Sequence, residues 1–190
     1  MPLVHERTFR VRHYECDAYG HLNHANYLRY MQETAFDASA AAGYDMARYD
    51  ALGHRWLVRA TGIEYLRQLQ YNDQVHIRTW VDDFRRVRSR RIYEFRCANG
   101  DGLAARASTD WVYANTVTGQ PVAIPPEMVT AFYPEGAPAP GAQRDRFPEA
   151  PPPPPGIFKS HHRVEWRDID PARHVNNAAY LAYVESAGCR

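Results

Sequence analysis

Hydrophobic and polar positions recur with two different periods in the first two thirds of the chain, and each period predicts a different element. Over residues 7–14 they alternate as in a short strand, with Phe9 and Val11 on one face. From residue 26 to residue 42, apolar and small side chains recur every three or four positions, which predicts one long helix. Gly43 follows where a left-handed residue commonly closes a helix.

Alternation returns after this helix and predicts a series of strands over residues 75–81, 91–97 and 103–113. The segment 99–102, Asn-Gly-Asp-Gly, is a strong hairpin turn, and residues 71–73 form a weaker one. The order is therefore a strand, a long helix and a meander of about four antiparallel strands. One buried helix against an antiparallel sheet predicts an α+β layer arrangement.

Proline marks the clearest boundary in the chain, because nine of the 14 prolines fall between residues 134 and 155. Such a segment favours an extended polyproline conformation and does not join a sheet or a helix core. We therefore predict a main domain over residues 1–135, a linker over 136–156 and a further segment over 157–190.

The segment after the linker repeats the start of the chain at a shift of 153 positions, with nine identities in 21 positions. A tandem repeat of one supersecondary unit explains this similarity. The aligned pairs are Arg10 and Arg163, Val11 and Val164, Asp17 and Asp170, His21 and His174, Asn23 and Asn176, Ala25 and Ala178, Tyr27 and Tyr180, Leu28 and Leu181, and Tyr30 and Tyr183.

The shared pattern, Asp-x3-His-x-Asn-x-Ala-x-Tyr-Leu-x-Tyr, resembles the hotdog thioesterase superfamily. The first copy is similar to single-domain acyl-CoA and 4-hydroxybenzoyl-CoA thioesterases, over residues 7 to about 133. The second copy is similar to the C-terminal half of double-hotdog acyl-ACP thioesterases of plants and bacteria. The resemblance implies a hotdog fold, in which a curved antiparallel sheet wraps around one long central helix.

The second copy is an incomplete hotdog repeat, since the sequence reaches Arg190 after a first strand and helix, without further strands. Either the gene product is longer than these 190 residues, or the fragment docks on another surface. We favour the first alternative. In double-hotdog relatives the active residues lie in the C-terminal half, so a longer parent would work through Asp170, His174 and Asn176.

Thioester hydrolysis needs an activated water or a direct nucleophile, together with donors aimed at the oxygen that gains charge. The resemblance places the catalytic carboxylate at Asp17, as general base or as nucleophile. The alternative for Asp17 is an Asx-turn or a residue near a helix start. Backbone N–H groups around His24, Ala25 and Asn26 open the predicted helix and form a candidate oxyanion site that binds the substrate.

Further candidates lie in the same motif. The resemblance implies a functional histidine at His24, for which an exposed helix-start residue is the alternative. Asn23 is a candidate catalytic residue and His21 a candidate substrate-binding residue, although both side chains are also suited to holding the loop. Tyr27 is a candidate for substrate contact or for the core. His21 and His24 have no third ligand at metal-like spacing, so we expect neither a metal nor a cofactor.

An arginine-rich segment over residues 85–91 offers a second candidate contact with substrate. Arginine binds phosphate well, so Arg88 and Arg90 are candidates for the phosphates of CoA or for the acidic surface of an acyl carrier protein. A solvated hairpin explains the same segment.

Composition narrows the class of protein. The net charge of +1 gives no reason to expect a nucleic-acid partner, and an apolar fraction of 45% is enough for a real core. No signal peptide is evident, and no stretch approaches the roughly 18 apolar residues of a membrane span. Three cysteines lack metal or redox spacing, so we expect a cytoplasmic protein.

The leading hypothesis for function is an acyl-CoA or acyl-ACP hydrolase that releases a free acid and a thiol. The competing class is a non-catalytic hotdog that binds acyl thioesters as a regulator or scaffold, and a dehydratase is a third option. Hotdog units usually pair edge to edge, so we expect a homodimer through residues 1–133, or a pseudo-dimer in a longer parent.

Overall fold

The computed structural model describes residues 1–98, 102–137 and 149–188. The chain divides into two compact units, Met1–Pro140 and Gly141–Arg190. Two features predicted above lie mostly outside the described residues, namely the 99–102 turn and the proline-rich linker. Of the three cysteines, Cys189 also lies outside them. Across the described ranges, no helix combines the length and the apolar character needed to cross a membrane.

The long helix α1 spans His24–Ala41, which confirms the predicted element and starts it two residues earlier. Asn23 caps its N-terminus, and Gly43 has a φ of 80° just beyond its C-terminus, as predicted. The predicted apolar face is buried. Its fully buried members are Tyr27, Tyr30, Met31, Thr34, Ala35 and Ala38.

A five-stranded antiparallel sheet faces this helix, with strand order β1-β3-β4-β5-β2. The α+β class predicted from the alternating periods is thereby confirmed. The strands are β1 (His5–Arg10), β2 (His54–Tyr65), β3 (Gln74–Arg85), β4 (Arg88–Cys97) and β5 (Leu103–Asn115). The inner face of β4 meets α1 where the Tyr27 and Phe95 rings pack 5.5 Å apart.

Strand β2 is the main feature that the sequence patterns missed. Only β3, β4 and β5 form the predicted meander, whereas β2 precedes them in the chain and pairs with β5 at the far edge. Its residues are mostly half-buried, and its register shifts between Val58 and Ala60. An edge strand with a bulge lacks the clean two-residue alternation on which strand prediction depends.

The predicted strand over residues 7–14 is correct only in its first half, since β1 ends at Arg10. Residues His13–Glu15 form a short 3₁₀ turn instead. The backbone N–H of Arg12 donates to Glu15 Oε2 at 2.8 Å, which draws the chain out of the extended conformation.

Two short helices close the end of the sheet where α1 finishes, and neither was predicted. Helix α2 spans Met46–Leu52 with Asp45 as its N-cap, and α3 spans Pro126–Phe132 with proline at its start. They complete a cluster of buried side chains at this end of the core. Its members are Tyr44, Tyr49, Val81, Tyr113, Met128, Phe132 and Tyr133.

The second unit contains the helix α4, Asn177–Gly188, preceded by a 3₁₀ turn at Trp166–Asp168. Residues 157–165, where the repeat implies a strand, have no regular structure. A strand gains its ladder hydrogen bonds only from a neighbouring strand, and the described part of this unit contains none.

Gly43 provides a test of the helix boundary. The backbone of residue 43 is left-handed, and in that conformation the Cβ of an alanine crowds the following carbonyl oxygen. We therefore expect Gly43→Ala to lower the free energy of unfolding by about 1–2 kcal/mol. The matched control is Gly62→Ala in β2, where φ is ordinary and a Cβ would lie 3.9 Å from Ser108 Oγ. Urea denaturation of both variants measures the difference. Equal stabilities would contradict this account of the helix end.

Candidate functional site

The candidate site is the loop between the 3₁₀ turn and α1, which folds back on itself. Cys16 and Leu22 form an isolated antiparallel bridge, and the Asp17 N–H donates to the His21 carbonyl at 2.8 Å. Gly20 has a φ of 81° and turns the chain between them. The loop therefore presents Asp17 just ahead of the helix start.

The two oxygens of the Asp17 carboxylate differ in their hydrogen bonding. Oδ1 accepts the backbone N–H groups of Tyr19 at 2.8 Å and His21 at 3.1 Å, so the predicted alternative, an Asx-turn, is present. Within the described residues, Oδ2 accepts no hydrogen bond. The side chain is half-buried, so one oxygen holds the loop while the other remains able to accept a proton or meet a substrate.

The helix start is less open than the sequence suggested. Asn23 Oδ1 accepts the N–H of Ala25 at 3.0 Å, and the N–H of Asn26 reaches the Asn23 carbonyl at 2.9 Å. Two of the three predicted oxyanion donors are therefore engaged within the chain. Asn23 is an N-cap in this structure, which is the loop-holding alternative weighed for it.

Asn26 has a structural position in the loop. It is 6% exposed, and its Nδ2 donates to the Glu15 carbonyl at 2.9 Å. Its Oδ1 accepts from Arg29 Nη1 at 2.6 Å. The amide of Asn26 thus connects the first turn of α1 to the chain that precedes Asp17.

A row of aromatic rings leads from the surface into the core beside the loop. His24 is exposed, with its ring 4.5 Å from that of Tyr65, which in turn lies 5.0 Å from Tyr27. Tyr27 is 3% exposed and reaches Phe95, and burial raises the pKa of its hydroxyl. His24 and Tyr27 therefore lie along one path, His24 at its outer end and Tyr27 in the core.

Glu15 is the residue of this site that sequence reasoning missed. Its buried carboxylate accepts the Tyr30 hydroxyl at 2.6 Å and the Arg12 guanidinium at 3.3 Å. Its carbonyl accepts both the Asn23 N–H and the Asn26 side chain. One residue thus joins the 3₁₀ turn, the loop and the first two turns of α1.

The second unit repeats this network in its own loop. The Tyr183 hydroxyl donates to Asp168 Oδ2 at 2.7 Å, and the Asn176 N–H donates to the Asp168 carbonyl at 2.8 Å. Asp170 Oδ1 accepts the N–H groups of Ala172 and His174 at 2.9 and 3.2 Å. The repeat therefore conserves a three-dimensional unit as well as nine identities, and Asp168 is the counterpart of Glu15.

The arginine-rich segment does not join the loop within one chain. Arg88 is exposed, and Arg90 pairs with Asp110 at 3.0 Å on the outer face of the sheet. At about 3.3 Å per residue, Arg90 lies roughly 16 Å along β4 from Phe95, which packs against the first turn of α1. A shared role with Asp17 would need a second unit to bring them together.

A cavity of about 360 Å³ lies elsewhere in the first unit, between the last turns of α1 and helix α2. Its walls include Phe36, Ser39, Ala40, Tyr44, Met46 and Tyr49. None of the predicted site residues lines it, so the candidate loop and this cavity are distinct features. Among the residues described, His, Cys, Asp and Glu nowhere gather in a group of three able to hold a metal ion.

Removing the Tyr30 hydroxyl tests the network around Glu15. Tyr30→Phe removes one hydrogen-bond donor from the buried Glu15 carboxylate. We therefore expect the free energy of unfolding to fall by about 1–3 kcal/mol at pH 7. Burial and the bond to Glu15 raise the pKa of Tyr30 in the folded protein. The hydroxyl therefore contributes fully to the free energy of unfolding below the pKa of tyrosine in the unfolded chain, near 10, and this contribution is lost as the pH rises further.

The difference in free energy of unfolding between Tyr30→Phe and wild type should therefore narrow above about pH 10. Urea denaturation at several pH values measures it. Tyr14→Phe is the control, because Tyr14 is 76% exposed and its hydroxyl only accepts from Arg12. A Tyr30→Phe variant as stable as Tyr14→Phe would show that Glu15 does not depend on this bond.

Residues 11–132 match the sequence model of the Thioesterase-like superfamily, which covers more than half of the 190 residues. The chloroplastic acyl-(acyl-carrier-protein) hydrolase FATB2 of Cuphea viscosissima is 25% identical over 194 aligned positions, covering 96% of this chain and 46% of that protein. The chain spans about half the length of the plant relatives that it matches.

Solved structures share the fold. The 12:0-ACP thioesterase from Umbellularia californica has a TM-score of 0.78 and 22% identity, covering 99% of this chain and 76% of that one. A hypothetical protein from Aquifex aeolicus has a TM-score of 0.61 and 25% identity, covering 69% of this chain and 99% of that one. The predicted hotdog fold is confirmed by these likenesses.

Proposed function

Because the chain belongs to the thioesterase-like superfamily, we propose that it hydrolyses acyl thioesters to a free carboxylic acid and a thiol. The observation that carries the proposal is the divided carboxylate of Asp17. Oδ1 is fixed by two backbone N–H groups, and within the described residues Oδ2 is unbonded. A fixed carboxylate with one free oxygen suits a general base or a nucleophile.

Two routes are consistent with this geometry. Asp17 Oδ2 takes a proton from water, whose oxygen attacks the carbonyl carbon while the carbon–sulfur bond breaks and the thiolate leaves. Alternatively Oδ2 attacks the carbonyl carbon directly, the carbon–sulfur bond breaks and the thiolate leaves. Water then cleaves the resulting anhydride to the free acid and restores the Asp17 carboxylate. Both routes develop negative charge on the carbonyl oxygen, which the positive end of the α1 dipole stabilises.

The substrate class follows from the relatives and from charge. Proteins similar to this chain are named as hydrolases of acyl-acyl-carrier-protein, and a CoA thioesterase from Staphylococcus aureus shares its fold. We infer an acyl-CoA or acyl-ACP substrate, with His21, His24 and Tyr27 beside the acyl group. Arg88 and Arg90 are suited to the phosphates of CoA or the acidic carrier when supplied by a second unit.

A dimer would bring such a second unit. Strand β2 is at one edge of the sheet and, among the described strands, pairs with β5 alone, so its outer backbone groups are suited to pairing with another hotdog unit. We propose a homodimer through this edge, or an equivalent pairing inside a longer parent. The free thiols of Cys16 and Cys97 accord with a reducing compartment such as the cytoplasm.

One observation favours the second candidate function, a non-catalytic acyl-thioester-binding protein. The N–H groups of Ala25 and Asn26 already have partners, so the loop satisfies itself without a substrate oxygen. Such a protein would bind acyl-CoA in equilibrium dialysis and release the intact thioester again. A hydrolase converts the bound ligand in the same dialysis cell.

Replacing one oxygen of Asp17 tests the proposal. In Asp17→Asn the amide oxygen can still accept both loop N–H groups, whereas the proton-accepting oxygen becomes an NH₂ group. We expect kcat for acyl-CoA hydrolysis to fall by roughly 100-fold or more, since general bases contribute on the order of 10²–10⁴. Thiol release measured with a disulfide-exchange dye gives the rate.

The matched control is Asp170→Asn, which makes the same change in the equivalent loop of the second unit. We expect it to retain activity. Full hydrolysis by a folded Asp17→Asn variant would overturn the proposal for Asp17. Loss confined to Asp170→Asn would transfer the catalytic role to the second copy.

The assembly is tested separately by multi-angle light scattering. A homodimer gives twice the 21.9 kDa of the chain, and we expect thioester hydrolysis to follow the dimer fraction on dilution. A monomer with unchanged specific activity at every concentration would contradict both the dimer and an active site completed by its partner.

A further inference from the structure

Arg91 is a buried cation in the centre of the sheet, remote from the Asp17 loop. It is 5% exposed and shares the inner face of β4 with Tyr93 and Phe95, at alternate positions of the strand. Arg91 lies four residues along β4 from Phe95, a distance of about 13 Å. Since Phe95 packs against Tyr27 near the helix start, Arg91 is well separated from the Asp17 loop. The thioesterase mechanism proposed above does not use this side chain.

The guanidinium of Arg91 has few partners. The one hydrogen bond that it makes within the described ranges reaches Thr79 Oγ1 at 3.5 Å, and its charge lies 5.5 Å from the centre of the Phe132 ring. Among the described residues, no carboxylate lies within ion-pair distance of it. Burial lowers the pKa of Arg91, yet a guanidinium remains protonated at neutral pH. An unpaired buried charge is costly, which indicates a missing acceptor.

Two further donors beside Arg91 are also unsatisfied. The Tyr93 hydroxyl and the Trp111 indole N–H are buried, and the part of the chain that the structure describes offers neither of them a hydrogen-bond partner. Burial raises the pKa of the Tyr93 hydroxyl, and the Thr109 and Trp111 side chains beside it, as neighbouring donors, partly lower that pKa, although neither completes a well-aligned hydrogen bond with it. Indole and guanidinium groups only donate, so this pocket contains an excess of donors over acceptors. Such an excess matches an anion with several lone pairs.

The cavity between α1 and α2 borders the same pocket. Tyr49 lines this cavity and lies close enough to Arg91 for the two groups to interact electrostatically. Tyr44 also lines it and stacks on Phe132, the ring that faces the guanidinium. The cavity therefore shares a wall with the Arg91 pocket, and that wall is made of aromatic side chains.

The cavity suits an apolar chain with a charged end directed inward. Phe36, Ala40 and Met46 contribute apolar surface, and about 360 Å³ is enough for a short aliphatic group. Its two acidic residues are engaged elsewhere, because Asp37 pairs with Arg7 at 2.6 Å and Asp45 caps α2. Their charges are thus partly compensated and do not close the cavity to an anion.

We propose that Arg91, Tyr93 and Trp111 form a binding site for a carboxylate attached to a short apolar chain, which occupies the cavity between α1 and α2. Arg91 does not itself line the cavity, and Tyr49 is buried with its hydroxyl accepting the Trp56 indole N–H at 3.0 Å. Binding therefore requires the Tyr49 side chain to rotate and give up this bond, so that the carboxylate reaches the guanidinium. A bidentate carboxylate would satisfy the donors that the protein leaves unpaired.

Two sources supply this chemistry. One is a free carboxylic acid, such as the product of the proposed hydrolysis, and the other is the far carboxylate of a dicarboxylic acyl thioester. The second source rests on the proposed function, whereas the binding of a free acid does not. The first experiment therefore measures binding alone.

Isothermal titration calorimetry compares octanoate with octanol, which has a chain of the same length and no charge. We expect octanoate to bind at least tenfold more tightly, and Arg91→Met to abolish that advantage. Arg96→Met is the matched control, since Arg96 is an exposed residue of the same strand, paired with Glu94. The indole N–H signal of Trp111 in ¹H–¹⁵N spectra should shift with octanoate in the wild type alone.

Arg91→Met removes an uncompensated buried charge, so we expect it to fold, and a thermal melt checks this. Arg91→Lys is a second variant that keeps the charge and should retain part of the affinity. Equal binding of octanoate and octanol, no binding of octanoate, or unchanged binding by folded Arg91→Met would overturn the site. A heat of binding and a Trp111 shift as large with sodium chloride as with octanoate at the same concentration would indicate an inorganic anion only and would overturn it too.

The two sources are distinguished with octanoyl-CoA and its ω-carboxylate analogue, suberyl-CoA. Preferential hydrolysis of suberyl-CoA, reversed in Arg91→Met, identifies the acyl terminus as the ligand. Octanoate binding with no such preference identifies the free acid. If neither thioester is hydrolysed, the proposed function fails while the calorimetry still decides the site.

Discussion

The bond between the Tyr30 hydroxyl and the buried Glu15 carboxylate is the constraint on which the candidate site depends. Glu15 fixes the 3₁₀ turn through Arg12 and holds the helix start through Asn23 and Asn26. Asp17 follows Glu15 by two residues, in the loop between the 3₁₀ turn and the helix start. Because Glu15 holds both ends of this loop, it also determines where Asp17 lies. The same acid–tyrosine pair in the second unit, Asp168 and Tyr183, shows that the arrangement belongs to the repeat itself.

The inner face of the sheet has a different character at its two ends. Near the helix start, Tyr27 packs on Phe95 and the surface bears His24 and Asp17. Towards the other end, the same face contains a buried guanidinium and unsatisfied donors. A uniformly apolar face would have been more stable, because buried polar groups without partners cost free energy. The polar pocket therefore indicates a requirement other than stability.

The sequence was sufficient for elements with strong local periodicity and insufficient where tertiary contacts decide. Helix α1 and strands β3 to β5 follow from spacing alone, but the edge strand β2 does not, because its bulge breaks the alternation. Glu15 does not stand out in the repeat because it aligns with Asp168. Both residues are acids, but they are of different types, so the pair is not among the nine identities. Arg91 alternates visibly with Tyr93 and Phe95, yet only the fold shows that it is buried without a carboxylate.

The central claim, that this chain is itself a thioester hydrolase, is tested most directly by product analysis under multiple turnover. The purified protein is incubated with excess acyl-CoA, and free acid and free thiol are quantified together over time. The account predicts that both accumulate in equal amounts and exceed the protein concentration many times. Acyl-CoA that binds at equilibrium and is recovered intact, with no thiol above the uncatalysed rate, would contradict it.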